Sequence, residues 1–400
     1  MNPLIQKLIN EQNAKIPNSS MSGDNLSSQV KMWIPTGSFV FDTFISNGPV
    51  GGWPCGRIVE LFGKEAIGKS TVTFQAIANV QKMGGVALYF DVEQAGAYEM
   101  MDACGVDREN MLYCNATSIE EVFTLLETSL HAIAADKSMK NKPVLAVFDS
   151  IAALTTDAEI EAGYENNMNL GGLKPKQLGK GLRKITELLM KTNCCLILIN
   201  QTRQAIGQLY GDPDIAPGGK AKDFFASLRI KLLGQKKVEV NEGIEDEEWE
   251  AMLQEWEAAG GKKAGIPKPK RPSGEKIVVG CDVTAKFLKN KVGLPYRETN
   301  FRIMFLQGIK EEDSVREYAK EYGLINKKGG WYEWQDPDSD CPVQAGTKFQ
   351  ENEWNEYFND EDVFNWLKLK IQGKIIKKLD KKVFTDPNTK ISTSAIAKDE

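Results

Sequence analysis

A glycine-rich segment early in the chain has the residue types and the spacing of a phosphate-binding loop. It reads Gly63, Lys64, Glu65, Ala66, Ile67, Gly68, Lys69, Ser70 and then Thr71. In the pattern GxxxxGK[ST], glycines let backbone N–H groups close on phosphate oxygens, the lysine reaches the β and γ phosphates, and the hydroxyl binds Mg2+. The sequence therefore predicts a site for ATP and Mg2+, with Lys69 on the phosphates and Ser70 on the metal.

Acidic and amide residues follow three apolar runs, where they could complete the chemistry of that loop. Asp149 ends one run and is the expected partner of Ser70 in holding the magnesium shell. Asp91 ends another run, with Glu93 two residues later, and either carboxylate could activate a water molecule opposite the γ-phosphate. Gln201 follows the third run and offers that phosphate an uncharged contact.

Residues 202–220 are expected to form one long loop, and loops of this length in compact domains are usually functional. Backbone N–H groups at Gly218 and Gly219, with Lys220 beside them, suit contacts with phosphates. An exposed apolar side chain such as Ile206 could wedge between bases. Composition alone leaves a surface loop without a ligand as the alternative.

Composition sets limits on the class of protein. The chain has 400 residues, of which 42% are hydrophobic and 26% charged, as in soluble globular proteins. The formal net charge of -5 gives no attraction of the whole surface to nucleic acid, so any DNA contact must come from local loops. Seven cysteines without a CxxC pair, and the single histidine His131, exclude a zinc site built on paired Cys and His. No segment resembles a leader or a membrane span, so we expect a cytoplasmic protein.

The elements that would position the chemical groups alternate between strands and helices. The predicted strands lie at 57–62, 86–91, 144–149 and 195–200. The last three are continuous apolar runs, as buried parallel strands are, and 57–62 is the strand that enters the glycine loop. One helix is predicted at 70–82, and another begins at Ser118, whose spacing to Glu121 fits a capping box. This order predicts an α/β fold with a mostly parallel wound sheet, whose ligands gather at the carboxyl edge.

Changes in composition divide the chain into parts. These are a short helix and linker at 1–31, an ATPase core at 32–306, a smaller α+β region with two helices at 307–385, and a flexible tail at 386–400. An acidic and then basic segment at about 240–272 interrupts the core as an insertion. Its predicted helix carries one apolar stripe, formed by Trp249, Met252, Leu253 and Trp256. That helix either docks on its own domain or binds a partner.

In order and spacing, these segments resemble the RecA family of recombinases, of bacterial or phage type. The similarity runs through GRIVELFGKEAIGKST, YFDVEQ, VFDSIAALTTDAEIE and LILINQTRQAIGQLYGDP. It implies a RecA-like P-loop core in which Glu93 activates water, Asp149 holds the magnesium shell and Gln201 senses the γ-phosphate. It also implies that Lys289 and Lys291 reach the ATP site of the neighbouring subunit, so that hydrolysis depends on assembly.

The same resemblance implies two DNA-binding loops, the first after Glu159 and the second at 202–220. With ATP bound between subunits, such a filament holds single-stranded DNA, pairs it with homologous double-stranded DNA, and releases it after hydrolysis. The candidate DNA contacts are Tyr164, Met168, Lys176, Arg183, Arg203, Ile206, Gly218, Gly219 and Lys220.

Two other functions stay open on the same core, a ring-forming helicase and a paralogue that binds DNA or a recombinase without exchanging strands. The paired lysines and the Gly-Gly loop favour strand exchange. The adenine platform is either Tyr98 or Met100. Compared with the family pattern, residues 173–177 are expected to add length beside the first DNA loop, and the amino-terminal region is short for the bacterial members.

Overall fold

The computed structural model describes residues 2–16, 29–94, 97–162, 172–204, 214–215, 217–242, 246–270, 274–335 and 340–385. Its helices are α1 (Pro3–Lys15), α2 (Phe39–Ser46), α3 (Lys69–Lys82), α4 (Tyr98–Ala103), α5 (Ile119–Ala135), α6 (Asp157–Glu161), α7 (Leu173–Lys191), α8 (Gly219–Phe225), α9 (Asp246–Ala258), α10 (Glu311–Glu321), α11 (Trp354–Asn359) and α12 (Glu361–Thr385). Its strands are β1 (Trp33–Ile34), β2 (Trp53–Pro54), β3 (Ile58–Gly63), β4 (Val86–Asp91), β5 (Met111–Asn115), β6 (Val144–Asp149), β7 (Cys194–Gln201), β8 (Arg203–Gln204), β9 (Asp214–Ile215), β10 (Leu228–Glu242), β11 (Glu275–Asn290), β12 (Glu298–Met304), β13 (Gly308–Lys310), β14 (Ile325–Lys328), β15 (Trp331–Trp334) and β16 (Lys348–Phe349).

A large mixed sheet organises the described residues, in the order β13-β12-β11-β10-β3-β7-β6-β4-β5. From β10 to β5 all neighbouring strands run parallel, whereas β10 to β13 pair antiparallel. The α/β class with a mostly parallel wound sheet is therefore confirmed. Each of the four predicted strands lies within one residue of an observed one, because strands covered by helices on both faces are predominantly apolar and are flanked by polar residues.

Helices cover both faces of this sheet. On one face α3 packs through Val72, Phe74, Ile77 and Val80. On the other face α5 and α7 pack through buried leucines and isoleucines, each worth about 2 kcal/mol when buried. Ser118 caps α5 by accepting from the Glu121 backbone N–H over 3.1 Å. The Glu121 carboxylate accepts from the backbone N–H of Thr117 instead of completing the expected box.

The strands β10 and β11 continue beyond the sheet as a two-stranded ribbon. β10 pairs with β3 only as far as Leu232, and then with β11 alone as far as Glu242 opposite Glu275. The segment expected as an insertion from about residue 240 therefore begins as a strand. The helix α9 follows the ribbon and lies on its own chain, where Nε1 of Trp256 donates to the carbonyl of Ile266 over 3.1 Å.

A third apolar core joins α2 to the carboxyl-terminal region. Phe39 and Val40 pack with a set of aromatic residues that includes Tyr332 and Trp354. The expectation of two helices in this region was wrong, because α10, α11 and α12 are all present beside the sheet β14-β15-β16. Its strands are only two to four residues long, too short for periodicity to indicate. The division of the chain at residue 307 stays a prediction.

The predicted amino-terminal helix is present as α1, and none of its side chains is buried. Within the described ranges, no helix combines enough length with enough apolar character to cross a membrane. The expected linker before residue 29 and the tail from 386 lie outside the described residues.

Candidate nucleotide-binding site

The glycine-rich loop joins the end of β3 to the start of α3. Backbone N–H groups of a first helical turn have no partners within the helix, so they are available to an anion at the loop. Gly68 has a φ of 89°, and a Cβ there would lie 2.4 Å from Cδ1 of Ile303, so this position requires glycine. The Lys69 ammonium donates to the carbonyls of Gly63 over 3.3 Å and Lys64 over 2.6 Å. The loop therefore has the fold and the donors of a phosphate site.

Lys69 lies in a largely buried setting beside three carboxylates. Burial lowers the pKa of its ammonium, and the negative charges of Asp149, Glu93 and Glu65 oppose that shift. Its side chain is nearly covered, which places a positive charge where water contributes little screening.

Ser70 and Asp149 meet at the neighbouring strand end. The Ser70 hydroxyl donates to Oδ2 of Asp149 over 2.7 Å, and the hydroxyl of Tyr89 donates to the same oxygen over 2.7 Å. Burial raises the pKa of Asp149, and these two hydrogen bonds lower it. Hydroxyl and carboxylate oxygens are the ligands that Mg2+ prefers in proteins, so the donor set fits that ion. Sequence reasoning missed Tyr89, because a tyrosine within an apolar strand is more often a core residue.

Glu93 and Gln201 also meet at this carboxyl edge. Nε2 of Gln201 donates to Oε1 of Glu93 over 2.9 Å, and the hydroxyl of Ser150 donates to the same oxygen. Glu93 is exposed, whereas Asp91 is buried and accepts from the hydroxyl of Tyr113. Of the two carboxylates left open by the sequence, only Glu93 is therefore exposed and bonded to Gln201. Ser150 was missed, although its place directly after Asp149 was the available signal.

The two candidates for the adenine platform have different surroundings. The Thr71 hydroxyl lies 2.9 Å from the sulfur of Met100, which packs partly against the core. Tyr98 is 51% exposed, and the guanidinium of Arg108 lies 5.3 Å from its ring centroid. Met100 is thus in direct contact with α3, the helix that follows the phosphate loop, and Tyr98 is at the surface.

Lys289 and Lys291 lie away from the phosphate loop of their own chain. Lys289 is aligned with Arg229, and Arg229 with Glu60, three residues before Gly63 on β3. Three strand residues span about 10 Å. The Lys289 ammonium donates to the carbonyls of Asp223 and Phe224, and Lys291 is exposed. The structure therefore does not bring these lysines to the ATP site that the same chain offers.

The candidate DNA contacts are only partly described. Lys176 and Arg183 are both exposed on α7. Residues 173–177, expected to lengthen the first DNA loop, instead form the start of that helix, where the proline at 175 removes no helical hydrogen bond. Tyr164, Met168 and Ile206 lie outside the described residues.

The second candidate loop is not continuous over 202–220. Arg203 pairs with Ile215 in the small ladder of β8 and β9, and α8 begins at Gly219 after Gly218 as its cap. Lys220 is exposed in the first turn of α8. Pairing between residues this far apart leaves no local periodicity, which is why the sequence indicated only a loop.

Comparisons with known proteins agree with this geometry. A family model described as the RecA N-terminal domain matches residues 6–253. Protein RecA of Borrelia duttonii (strain Ly) is 34% identical over 299 residues, which cover 75% of this chain and 70% of that protein. Protein RecA of Bacteroides thetaiotaomicron is 33% identical over 314 residues, covering 78% and 81%, respectively. Protein RecA of Staphylococcus carnosus (strain TM300) is 32% identical over 312 residues, covering 78% and 74%. On the match of this family model and of these relatives, the chain belongs to the RecA family.

Proposed function

We propose that this chain is a DNA-dependent ATPase that forms filaments on single-stranded DNA and catalyses homologous pairing and strand exchange. One observation carries the proposal most directly. Glu93 and Gln201 are bonded to each other beside the phosphate loop, whereas Lys289 and Lys291 lie toward the amino end of β3, away from the loop at its carboxyl end. This arrangement favours a nucleotide site that is completed by Lys289 and Lys291 of the next copy of the chain.

In this proposal the residues of one chain bind and orient ATP. Lys69 and the N–H groups of the loop hold the phosphates, and Ser70 and Asp149 hold Mg2+. The bound ion neutralises charge on the phosphate oxygens. Met100 serves the adenine in preference to Tyr98, because it contacts Thr71 directly after the loop.

Glu93 acts as the general base in this proposal. Its exposed carboxylate can accept the proton of an attacking water, and the bonds from Gln201 and Ser150 orient it. Gln201 also offers its amide to the γ-phosphate, so one side chain would both sense the phosphate and set the position of the base.

Lys289 and Lys291 would act in trans, as the cations that neutralise charge in the transition state of the neighbouring subunit's site. In other phosphoryl-transfer systems such a cation accelerates the reaction roughly a thousandfold or more. Hydrolysis would then require assembly. The exposed Lys176, Arg183 and Lys220 are proposed to contact DNA phosphates. Because the overall charge of the protein is negative, its attraction to DNA must come from such local groups of cations.

The decisive experiment combines three measurements on the full chain. ATP hydrolysis is measured with and without single-stranded DNA, three-strand exchange with homologous duplex is followed on gels, and assemblies are viewed by electron microscopy. We expect DNA-stimulated hydrolysis, joint molecules and filaments, and Lys69→Ala should lose all turnover without losing its fold. Rings without joint molecules would support a helicase instead, and DNA binding without exchange would support a paralogue.

A further inference from the structure

A buried ionic cluster lies between the strand that leads into the phosphate loop and the second candidate DNA loop. Glu60 on β3 is fully buried. The ammonium of Lys222 in α8 is 1% exposed and lies 3.0 Å from Oε1 of Glu60. Arg229 on β10 donates from Nε to Oε2 of Glu60 over 2.6 Å. Two cations that follow the loop therefore share one carboxylate on the phosphate-loop strand.

Asn200 connects both ends of the candidate loop to the same carboxylate. Its Nδ2 donates to Oε1 of Glu60 over 3.0 Å and to the carbonyl of Pro217 over 2.8 Å. Its Oδ1 accepts from the backbone N–H of Gln201 over 3.0 Å. Gln201 precedes the loop and Pro217 lies near its end, so the side chain of Asn200 connects both ends of the loop to Glu60.

Asp223 extends the cluster toward the proposed in-trans lysine. Its Oδ1 lies 2.8 Å from Nζ of Lys222 and 2.9 Å from Nη2 of Arg229. Its backbone carbonyl accepts from the ammonium of Lys289. One set of contacts thus joins the strand of the candidate nucleotide site, the end of the candidate DNA loop and the ammonium of Lys289, the proposed in-trans lysine.

Lys222 is a charged side chain at a buried position, where an apolar side chain would fill the same space without bringing a charge out of water. A well-packed apolar pair is often as stable as a buried ion pair, because burial removes both charges from water. What an ion pair adds is direction, since a short charge-assisted bond tolerates little sliding of α8 along β3. The stem of Lys222 also supports the loop end. Gly218 has a φ of 104°, and a Cβ there would lie 3.2 Å from Cδ of Lys222.

We propose that Lys222, paired with Glu60, is a positioning residue that transmits ATP binding to the second DNA loop. This inference rests on the proposed function. A γ-phosphate contact that moves Gln201 would act on Asn200 and Glu60, and the Lys222–Glu60 pair would carry α8 and the loop end along. Because coupling between two ligands is reciprocal, DNA on the loop would favour the same arrangement of Gln201.

The test measures coupling and not affinity alone. The probe is a fluorescein-labelled oligothymidylate, whose dissociation constant is determined with a non-hydrolysable ATP analogue and with ADP, at fixed Mg2+ and salt. The coupling is the dissociation constant with ADP divided by the dissociation constant with the analogue. Lys222→Met keeps an unbranched side chain, one atom shorter than that of lysine, and removes its charge. We expect it to lower the ratio by about tenfold, within the usual range of coupling between sites, while the affinity for the analogue stays near that of the wild type.

A second variant separates positioning from stability. Lys222→Met alone leaves Glu60 with fewer cations in a buried place, which destabilises the fold. The double variant Glu60→Gln with Lys222→Met removes both charges, and we expect it to regain thermal stability but not coupling. Leu130→Ala, a core change in α5, is the matched control that loses stability and keeps the ratio.

Wild-type coupling in either folded Lys222 variant would overturn the inference and leave Lys222 as a structural ion pair. If Lys222→Met does not fold, the double variant decides alone. If the DNA affinity of the wild-type chain is the same with the analogue and with ADP, the result would instead count against the proposed function. Failure of the inference and failure of the proposed function are therefore distinguishable.

Discussion

The side-chain amide of Gln201 donates to the carboxylate of Glu93 over 2.9 Å, across the end of a strand that lies between theirs. That middle strand ends at Asp149, and the next residue, Ser150, donates to the same carboxylate oxygen. The proposed base is therefore held by groups from two other strand ends. A ligand that forms a hydrogen bond with the Gln201 amide would also change the surroundings of Glu93, and in the proposed mechanism this would link phosphate binding to the activation of water.

Glu93→Gln should separate binding from hydrolysis. The amide is similar in shape but accepts no proton from water, so we expect kcat to fall by about a hundredfold to ten-thousandfold. Nucleotide affinity should change little, because Lys69 and the loop carry it. Asp91→Asn is the comparison, and per folded molecule it should turn over faster than Glu93→Gln. The reverse ranking in steady-state assays would assign the base to Asp91.

Tyr89→Phe should change the requirement for Mg2+ with a definite pH dependence. The Tyr89 hydroxyl lowers the pKa of Asp149, so its removal raises that pKa further above the ordinary value. A carboxylate with a raised pKa holds its proton at higher pH, and the proton competes with the metal. We expect the Mg2+ concentration for half-maximal hydrolysis to rise more at about pH 6 than at about pH 8. An equal shift at both values would show that Tyr89 acts only through packing.

Lys291→Ala, mixed with Lys69→Ala, tests whether the lysine acts between subunits. Each variant alone should hydrolyse little ATP. In an equal mixture that assembles at random, about a quarter of the sites would combine an intact Lys69 with an intact Lys291 from the neighbour, as expected for a cation supplied in trans. Turnover should therefore recover in part. A mixture that forms filaments and stays inactive would rule out the in-trans role.

Asp42→Asn should remove a pH dependence of stability. The carboxylate accepts from the backbone N–H of Thr36 over 2.9 Å, and removal from water raises the pKa of Asp42 to about 7. The folded chain therefore binds a proton that the unfolded chain, with the ordinary value of 3.8, has released. This stabilisation is complete below about pH 4 and is lost as the pH rises through about 7.

The measurement is urea denaturation of both proteins over this pH range. Asparagine keeps the acceptor and cannot ionise. The difference in unfolding free energy, wild type minus Asp42→Asn, should fall with a slope of at most about 1.4 kcal/mol per pH unit. A flat difference would mean that Asp42 titrates near its ordinary value in the folded protein.

The sequence by itself determined the phosphate loop and the class of fold. Gly63 to Ser70 is one continuous segment whose function depends on local backbone freedom, a lysine and a hydroxyl, and all three are visible in eight letters. The parallel strands are equally local, because a strand covered on both faces is predominantly apolar. Local spacing also predicted the Ser118 cap.

Only the tertiary structure decided which side chains meet across the sheet. The choice of Glu93 over Asp91, the contact of Met100 with Thr71, and the pairing of Lys222 with Glu60 all depend on strand order and register. Residues on different elements converge only when those elements are packed, and no local pattern records the distance between them. The ribbon formed by β10 and β11 was missed for the same reason, since Glu242 pairs with the distant Glu275. The strands β14 and β15 near Trp331 are neighbours in sequence, and they were not located because each is only four residues long.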